Sequence, residues 1–337
     1  MACPRTEAQI IIRSVPIIDI APFLSGSPED KRRVAAEVGR ACEEIGFLIV
    51  KGHGVPRELV SQMYDVSKRF FDLPLEEKMK THGRERSRGY GPIGEEALSY
   101  GLGKAAPADV KESLYEGPMD VPDTPYFRGP EGAPHFVPNV WPARPPELPE
   151  VWRAYYRQME RLARDIMRAF AVALDLPERF FDDKIDKHVS RVRAINYPDQ
   201  REAPLPGQLR AGEHTDYGSI TILKIEDAPG GLQVKTRQGE WLNVEAVPDA
   251  FVVNIGDLMM HWTNDRWIST LHRVLNPPRD AALGTRRISL VFFHQPNYDA
   301  LIECLPSCQG PGNPAKYPPI TSGEHRNRKF AATTIVS

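Results

Sequence analysis

Apolar residues recur with two different periods along the chain, and the period changes near residue 190. Before that point the spacing is helical. A first long helix is predicted to begin at Ser27 and Pro28, because serine is a good N-cap and proline fits the first turn. Asp30 adds an acid at the third position. The helix should end at Gly46, and its apolar face comprises Val34, Val38, Ala41, Cys42 and Ile45.

The rest of the first half predicts a small α/β region. Val15 to Ile20 is apolar but contains Pro16, which cannot donate a ladder hydrogen bond, and so it predicts an edge strand. Phe47 to Val50 predicts a short buried strand, and a second helix is expected to start near Pro56. Apolar residues at helical spacing predict one long amphipathic helix over Val151 to Leu174.

From Ser190 onward the period shortens to that of β-strands, with turn sequences such as Pro229-Gly230-Gly231 between the segments. The predicted strands are Val192 to Tyr197, Ser219 to Ile225, Leu232 to Lys235, Phe251 to Ile255 and Ile288 to Phe293. Short strands at this density indicate a sandwich or jelly roll with helices outside it. The predicted fold class is therefore mostly β with flanking helices, including a long supporting helix.

Proline is unusually frequent, at 32 of 337 residues, and ten of the prolines lie between Pro118 and Pro149. Such a stretch cannot form regular structure along its length and predicts a connector. The predicted organisation is an N-terminal α/β region at 1–117, the proline-rich connector at 118–149, a helix plus jelly-roll core at 150–300 and a C-terminal extension at 301–337.

Charge and cysteine content exclude several classes of function. Lysine and arginine number 43 against 45 acidic residues, a net charge of −2, which disfavours nucleic acid or an anionic membrane as partner. The basic run from His325 to Lys329 predicts a solvated tail. Cys304 and Cys308 lack a second ligand pair at zinc-finger spacing and are interpreted as structural or incidental thiols. No apolar leader or membrane-length run is present, so a cytoplasmic protein is expected.

Candidate chemistry lies in the β-rich half, at His214-Thr215-Asp216. On a strand, residues i and i+2 point to the same face, so the imidazole and the carboxylate would converge. A second histidine on a neighbouring strand would complete three ligands, and His272, in the segment Leu271 to Val274, is the best placed candidate. Two histidines and one carboxylate on one face of a metal form the facial triad of non-haem Fe(II) oxygenases. A single His-x-Asp motif taken alone is more often structural.

A second motif strengthens this interpretation. Arg287-Ile288-Ser289 follows His272 by fifteen residues and places a guanidinium and a hydroxyl on one face of a predicted strand. Such a pair can hold a carboxylate through charge-assisted hydrogen bonds, which lysine cannot reproduce with the same planar geometry.

Together these motifs make the chain resemble the iron(II)- and 2-oxoglutarate-dependent dioxygenases similar to isopenicillin N synthase. The resemblance extends over nearly the whole chain, and His214 to Thr221 is most like the thymine dioxygenase branch. The matching segments are Val15 to Asp19, Gly52 to Pro56, Asp109 to Ser113, Asn196 to Pro198, His214 to Asp216, Gly230 to Val234, Asn254 to Asp257, His272 to Val274, Arg287 to Ser289 and Pro296-Asn297.

The resemblance implies a double-stranded β-helix (jelly-roll) core and Fe(II), 2-oxoglutarate and O2 as cofactor and co-substrates. It implies His214, Asp216 and His272 as the iron ligands. Arg287 and Ser289 would bind the far carboxylate of 2-oxoglutarate, with Tyr197 as a further contact or a core tyrosine. His53 is expected to be structural, and Asn254 to Asp257 to shape a turn.

The implied reaction is hydroxylation of a small organic molecule with release of succinate and CO2, with desaturation or ring closure as other outcomes. An oxidase of the same fold could use the Arg-x-Ser pair for a substrate carboxylate and need no 2-oxoglutarate. A zinc hydrolase could use the same three ligands, and a non-catalytic binding module could share the fold. The residues do not identify the substrate.

Overall fold

The computed structural model describes residues 13–83, 88–103, 106–200, 202–281 and 284–333. The chain is built on β-strands, most of them in the second half. The strands are β1 (Ile17–Asp19), β2 (Phe47–Lys51), β3 (Gly89–Gly91), β4 (Glu112–Glu116), β5 (Arg191–Tyr197), β6 (Ala211–His214), β7 (Ile220–Ile225), β8 (Gly231–Lys235), β9 (Trp241–Asn243), β10 (Phe251–Ile255), β11 (His272–Leu275), β12 (Arg287–His294), β13 (Leu301–Ile302) and β14 (Ile320–Thr321).

The helices lie mostly in the first half and at the C-terminal end. They are α1 (Ala21–Ser25), α2 (Pro28–Glu44), α3 (Arg57–Phe71), α4 (Leu75–Met79), α5 (Pro125–Arg128), α6 (Leu148–Ala173), α7 (Asp257–Trp262) and α8 (Ser322–Thr333). Within the described ranges, no helix combines the length and the apolar composition that crossing a bilayer requires.

Two sheets face each other. The larger has the strand order β1-β2-β10-β7-β12-β5-β4-β3, and the smaller has the order β6-β11-β8-β9. β1 pairs with β2 in parallel at the edge, while the neighbouring strands elsewhere in these two sheets are antiparallel. One apolar cluster lies between the sheets and includes Phe47, Ile195, Leu232 and Val291. This is the jelly-roll core that the sequence predicts.

The second and larger apolar cluster lies on the outer face of the large sheet, where α2, α3 and α6 cover it. Alternation along β12 separates the two faces. Leu290 and Phe292 belong to the outer cluster, and the Phe292 ring meets Tyr156 of α6 edge-on at 5.2 Å. Arg287, Ser289 and Val291 point to the opposite face and line a cavity between the sheets.

The predicted elements of the first half are confirmed with small shifts at their ends. Ser27 caps α2 in a reciprocal capping box with Asp30. Gly46 follows that helix with a positive φ of 67°. The strands β3 and β4 are additional, and they extend the large sheet beyond β5. Strands from before and after the proline-rich stretch therefore share one sheet, while the domain boundaries stay a prediction.

Within the stretch 118–149, helices and strands are limited to the short α5 and the first two residues of α6. The stretch nevertheless contributes buried residues, among them Phe136 and His135. Cys304 and Cys308 are free thiols, and Cys308 is buried in the outer apolar cluster.

The interpretation of residues 325–329 as a solvated tail is wrong. These residues lie in α8, where His325 and Arg326 are 5% and 4% exposed. The helix packs against the cavity between the sheets, which Arg326 helps to line. A short basic run gives no local signal of this burial, because the burial depends on which distant surface the helix contacts.

Candidate active site

The three proposed metal ligands converge inside the cavity. β6 and β11 are antiparallel neighbours, and His214 is paired directly with His272 in their register. Oδ1 of Asp216 lies 3.9 Å from Nε2 of His214 and 3.8 Å from Nε2 of His272. These separations are less than twice a metal–ligand distance of about 2.1 Å, so one ion can contact both members of each pair. Among the described residues this is the one group of three or more such side chains close enough to hold a metal.

Backbone carbonyl groups set the protonation of both histidines. Nδ1 of His214 donates to the carbonyl oxygen of Gly212 at 2.8 Å, and Nδ1 of His272 donates to that of Thr270 at 3.0 Å. A carbonyl oxygen can accept but not donate, so Nδ1 must carry the proton in each ring. Each Nε2 of a neutral ring then presents a lone pair to the shared point, as metal ligation requires.

Asp216 is oriented by two hydrogen bonds on its outer oxygen. Oγ1 of Thr221 donates to Oδ2 at 2.6 Å, and Nδ2 of Asn254 donates to the same atom at 2.7 Å. Oδ1 is thereby left facing the two imidazoles. β6 ends at His214, so the predicted reason for the convergence, strand alternation from His214 to Asp216, is wrong even though the two side chains do meet.

The expectation that Asn254 shapes a turn is also wrong. Asn254 lies inside β10, where it is paired with Thr221 of β7, and both side chains reach the same carboxylate. The supporting role of this pair was missed because it depends on the register of two strands more than thirty residues apart. The Asn-x-Gly-Asp sequence signals the position but not its partner.

The electrostatics of the three ligands favour a cation. Burial, and then the charge of His272, lower the pKa of His214 to about 3, so the ring is neutral at physiological pH. Burial opposes ionisation of Asp216, yet the two imidazoles and the hydrogen bonds from Thr221 and Asn254 lower its pKa below the ordinary value. The three side chains together therefore present two imidazole nitrogens and one carboxylate, a donor set that suits a divalent ion.

Arg287, Ser289 and Tyr197 lie on the same inner face of the large sheet and line the same cavity as the three ligands. Arg287 is paired with Tyr197 across β12 and β5. Ser289 follows Arg287 by two residues on β12, as the sequence predicts, and all three side chains are buried. The cavity has a volume of about 270 Å³.

Arg287 is a buried cation, and it forms no ion pair with a carboxylate of the described residues. Nε of Arg287 also has no hydrogen-bond partner among these residues. The adjacent Arg286, by contrast, donates to Asn196 at 2.8 Å and pairs with Asp72. Burying an uncompensated guanidinium is costly, so the Arg287 position suits an anionic ligand.

The three proposed metal ligands lie closer to the C-terminal end of β12 than Arg287 and Ser289 do. Thr221, which bonds Asp216, is paired with Phe293, four residues beyond Ser289. A small molecule held at the metal can therefore extend along the strand toward Ser289 and Arg287. The opposite end of the cavity is lined by Arg191, Phe293, Gln295 and Arg326.

The histidine expected to be structural has a structural environment. Nε2 of His53 donates to the carbonyl oxygen of Asp249 at 2.9 Å, and its Nδ1 accepts from the backbone N–H of Val55 at 3.0 Å. Both ring nitrogens are thus occupied by the backbone, and His53 does not line the cavity.

The geometry of two histidines, one aspartate and a separate cationic anchor defines a mononuclear non-haem iron site of the facial-triad class. Family models agree with it. Residues 15–144 match the non-haem dioxygenase in morphine synthesis N-terminal family, and residues 188–296 match the 2OG-Fe(II) oxygenase superfamily.

Individual relatives are similar over most of their length. The 2-oxoglutarate-Fe(II) type oxidoreductase hxnY of Emericella nidulans is 40% identical, over 91% of this chain and 86% of the relative. A homoarginine-6-hydroxylase of Oryza sativa subsp. japonica is 34% identical, over 96% and 98%. The crystal structure of Neurospora crassa thymine-7-hydroxylase with α-KG and thymine superimposes with a TM-score of 0.83 at 33% identity, covering 95% of this chain and 97% of that one.

The chain belongs to the 2-oxoglutarate- and Fe(II)-dependent oxygenases, in a branch similar to thymine-7-hydroxylase. It is an oxidoreductase that depends on Fe(II), 2-oxoglutarate and O2. The comparisons favour this function over an oxidase that does not use 2-oxoglutarate, a zinc hydrolase and a non-catalytic binding module.

Proposed function

We propose that this chain hydroxylates a small organic molecule, with Fe(II) held by His214, Asp216 and His272 and 2-oxoglutarate anchored by Arg287 and Ser289. The observation that carries the proposal is the pairing, within one cavity, of a converging ligand set with a buried guanidinium that lacks a counter-ion among the described residues. When bound, Fe(II) and 2-oxoglutarate supply the oxygen chemistry, in which O2 is reduced and the co-substrate leaves as succinate and CO2.

The protein's own contribution is placement. His214 and His272 each offer Nε2 because their Nδ1 protons are held by backbone carbonyl groups. Asp216 offers Oδ1 because Thr221 and Asn254 hold Oδ2. Ligands whose orientation is set in advance need little reorganisation when a metal binds.

The far carboxylate of 2-oxoglutarate is proposed to sit against Arg287 and Ser289. The guanidinium and the hydroxyl project from the same face of β12 and can both donate to one carboxylate. Tyr197, opposite Arg287 on β5, is proposed as a further contact, since its buried ring lines the same part of the cavity.

A small-molecule substrate fits the enclosed cavity, where apolar side chains such as Leu223, Ile225, Leu232 and Val274 exclude water around the anchors. Two relatives carry small molecules in their names: homoarginine for the rice hydroxylase and thymine for the Neurospora crassa complex. The proposed reaction extends this chemistry to a substrate of similar size.

The test combines binding and turnover. Anaerobic protein with Fe(II) and 2-oxoglutarate is expected to give a weak visible charge-transfer band, and aerobic protein to release labelled CO2 from carboxyl-labelled 2-oxoglutarate. His214→Ala should lose both signals, because Asp216 and His272 alone leave the site one ligand short. His53→Ala is the matched control, since that histidine is buried but outside the cavity. A band of full intensity in His214→Ala would contradict the proposed ligand set.

A further inference from the structure

The end of the cavity away from Arg287 contains a second buried cation that has no carboxylate partner among the described residues. Arg326 of α8 is 4% exposed and lines the cavity. Its Nε and Nη1 have no hydrogen-bond partner in the same part of the chain. Its remaining nitrogen, Nη2, donates to Nδ1 of His135 at 2.5 Å. Two of the three guanidinium nitrogens therefore have no acceptor among the described residues.

The acceptor that holds Arg326 is neutral. Burial, followed by the charge of Arg326, lowers the pKa of His135 to about 4, so the ring carries no charge at physiological pH. The His135 ring is also stacked on Tyr298, with ring centroids 4.9 Å apart. His135 thus fixes the position of the guanidinium and leaves its charge uncompensated.

Neighbouring charges make an anion more favourable still. Arg191 of β5 lines the same end of the cavity, where burial and then the charges of Arg326 and Arg88 lower the pKa of its guanidinium. The side-chain amide of Gln295 also lines this end, and its N–H groups can donate to an anion.

Two other cations that line the cavity do have carboxylate partners. Arg193 donates to Glu96 at 2.7 Å and to Ser113 at 2.8 Å. Lys111 pairs with Asp109 at 2.9 Å and with Glu96 at 3.3 Å. The protein neutralises these two side chains with its own carboxylates. Arg326, by contrast, has no carboxylate partner among the described residues.

The co-substrate cannot fill this position. Arg287 and Phe293 are six residues apart on β12, about 20 Å at 3.3–3.4 Å per residue, and Arg191 is paired with Phe293. A five-carbon dicarboxylate is much shorter than this span, so one anchored at Arg287 and directed at the three proposed metal ligands ends before the level of Phe293. The Arg326 end lies beyond it, on the side where the prime substrate would enter.

We infer that the prime substrate is a small organic carboxylate and that Arg326, with Arg191 and the Gln295 amide, binds its carboxylate group. This inference rests on the proposed function, because it assumes that the metal end of the cavity performs the oxidation. The carboxylate would anchor the substrate from the side opposite to 2-oxoglutarate and leave its C–H bonds facing the three ligands.

The test compares acids with their neutral amides. Benzoate, phenylacetate, 3-phenylpropanoate and cyclohexanecarboxylate are titrated against the corresponding primary amides, using anaerobic protein with Fe(II) and saturating 2-oxoglutarate. Binding is followed by calorimetry and by perturbation of the visible band. In the wild type, at least one acid is expected to bind tenfold or more tightly than its amide.

Variants assign that preference to Arg326. Arg326→Gln should lower the acid-to-amide affinity ratio at least tenfold, while Arg326→Lys, which keeps the charge, should restore part of it. Arg328→Gln is the matched control, because Arg328 lies on the same helix but is exposed and paired with Glu324. Its ratio should equal that of the wild type.

Two results would overturn the inference: no acid preferred over its amide in the wild type, or an unchanged ratio in a folded Arg326→Gln protein. Failure of the proposed function is a different result, namely no visible band and no 2-oxoglutarate turnover. Calorimetry without Fe(II) still measures the acid preference in that case.

Discussion

Asn254 donates its side-chain N–H to Oδ2 of Asp216 at 2.7 Å, and through this bond β10 sets the direction of a carboxylate that belongs to a different segment. Thr221 donates to the same oxygen from β7. The two bonds leave Oδ1 as the atom nearest to both imidazoles. The strand pair β7–β10 therefore orients one of the three proposed metal ligands.

Removing that support should weaken iron binding without abolishing it. Asn254→Ala is expected to raise the Fe(II) concentration for half-maximal visible absorption by about 10- to 100-fold, the usual effect of losing a group that orients a metal ligand. Asn243→Ala is the control, because that exposed amide lies on the smaller sheet and bonds Gln233. Equal iron affinity in the two variants would show that the Asn254 bond does not orient Asp216.

The proposed co-substrate anchor predicts opposite effects on binding and on stability. Arg287→Gln should weaken 2-oxoglutarate binding by about 10- to 100-fold, since a hydrogen bond to a charged group contributes roughly 1.5–3 kcal/mol. Without ligand the same variant should be at least as stable as the wild type, because an uncompensated buried charge is removed.

Arg286→Gln is the matched control for this prediction, since its guanidinium binds Asn196 and Asp72 rather than lining the cavity. Its 2-oxoglutarate affinity should change less than about twofold, because no hydrogen bond to the ligand is lost. Loss of ligand-free stability in Arg287→Gln, measured by thermal unfolding, would mean that the protein itself already neutralises Arg287.

Buried histidines predict acid sensitivity. Burial, and then the charge of His261, lower the pKa of His325 to about 4. An unfolded histidine titrates near 6.5, so between pH 6.5 and 4 the unfolded state binds a proton that the folded state does not, and stability falls as the pH falls through this window. Neither ring nitrogen of His325 has a hydrogen-bond partner among the described residues.

His325→Leu should therefore reduce the pH slope of unfolding free energy by about 1.4 kcal/mol per pH unit in that window, the contribution of one proton. Urea unfolding at pH 7.5, 6 and 5 in the presence of a chelator measures the slope without a contribution from bound metal. A slope identical to that of the wild type would show that His325 is already protonated in the folded protein.

Two glycines, one inside α2 and one just after it, predict stability changes of opposite sign. Gly46 has φ +67°, and an added Cβ would lie 2.2 Å from the carbonyl oxygen of Ile268. Gly39 is inside α2, where an added Cβ would meet Ala173 at an ordinary 3.4 Å. Gly46→Ala should destabilise the fold by more than about 1 kcal/mol, whereas Gly39→Ala should stabilise it by about 0.5–1 kcal/mol. Thermal unfolding of the two variants decides the signs.

The sequence by itself determined the elements whose signals are local. The capping box of Ser27 and Asp30, the amphipathic α6 and the placement of Arg287 and Ser289 on one face of β12 each depend on neighbouring residues and on a fixed period. The proposal of His214, Asp216 and His272 as iron ligands also came from the sequence, through the His-x-Asp motif and the Arg287-Ser289 pair.

Tertiary structure decided what these groups touch. Asn254 meets Asp216 only through the register of β10 on β7, and Arg326 reaches the cavity only through the docking of α8. Such contacts join segments that are far apart along the chain, and the free energy of each contact depends on which surfaces meet. Local periodicity carries no information about which surfaces meet. The short basic run at 325–329 therefore suggested a tail, while the fold buries Arg326 beside the proposed substrate site.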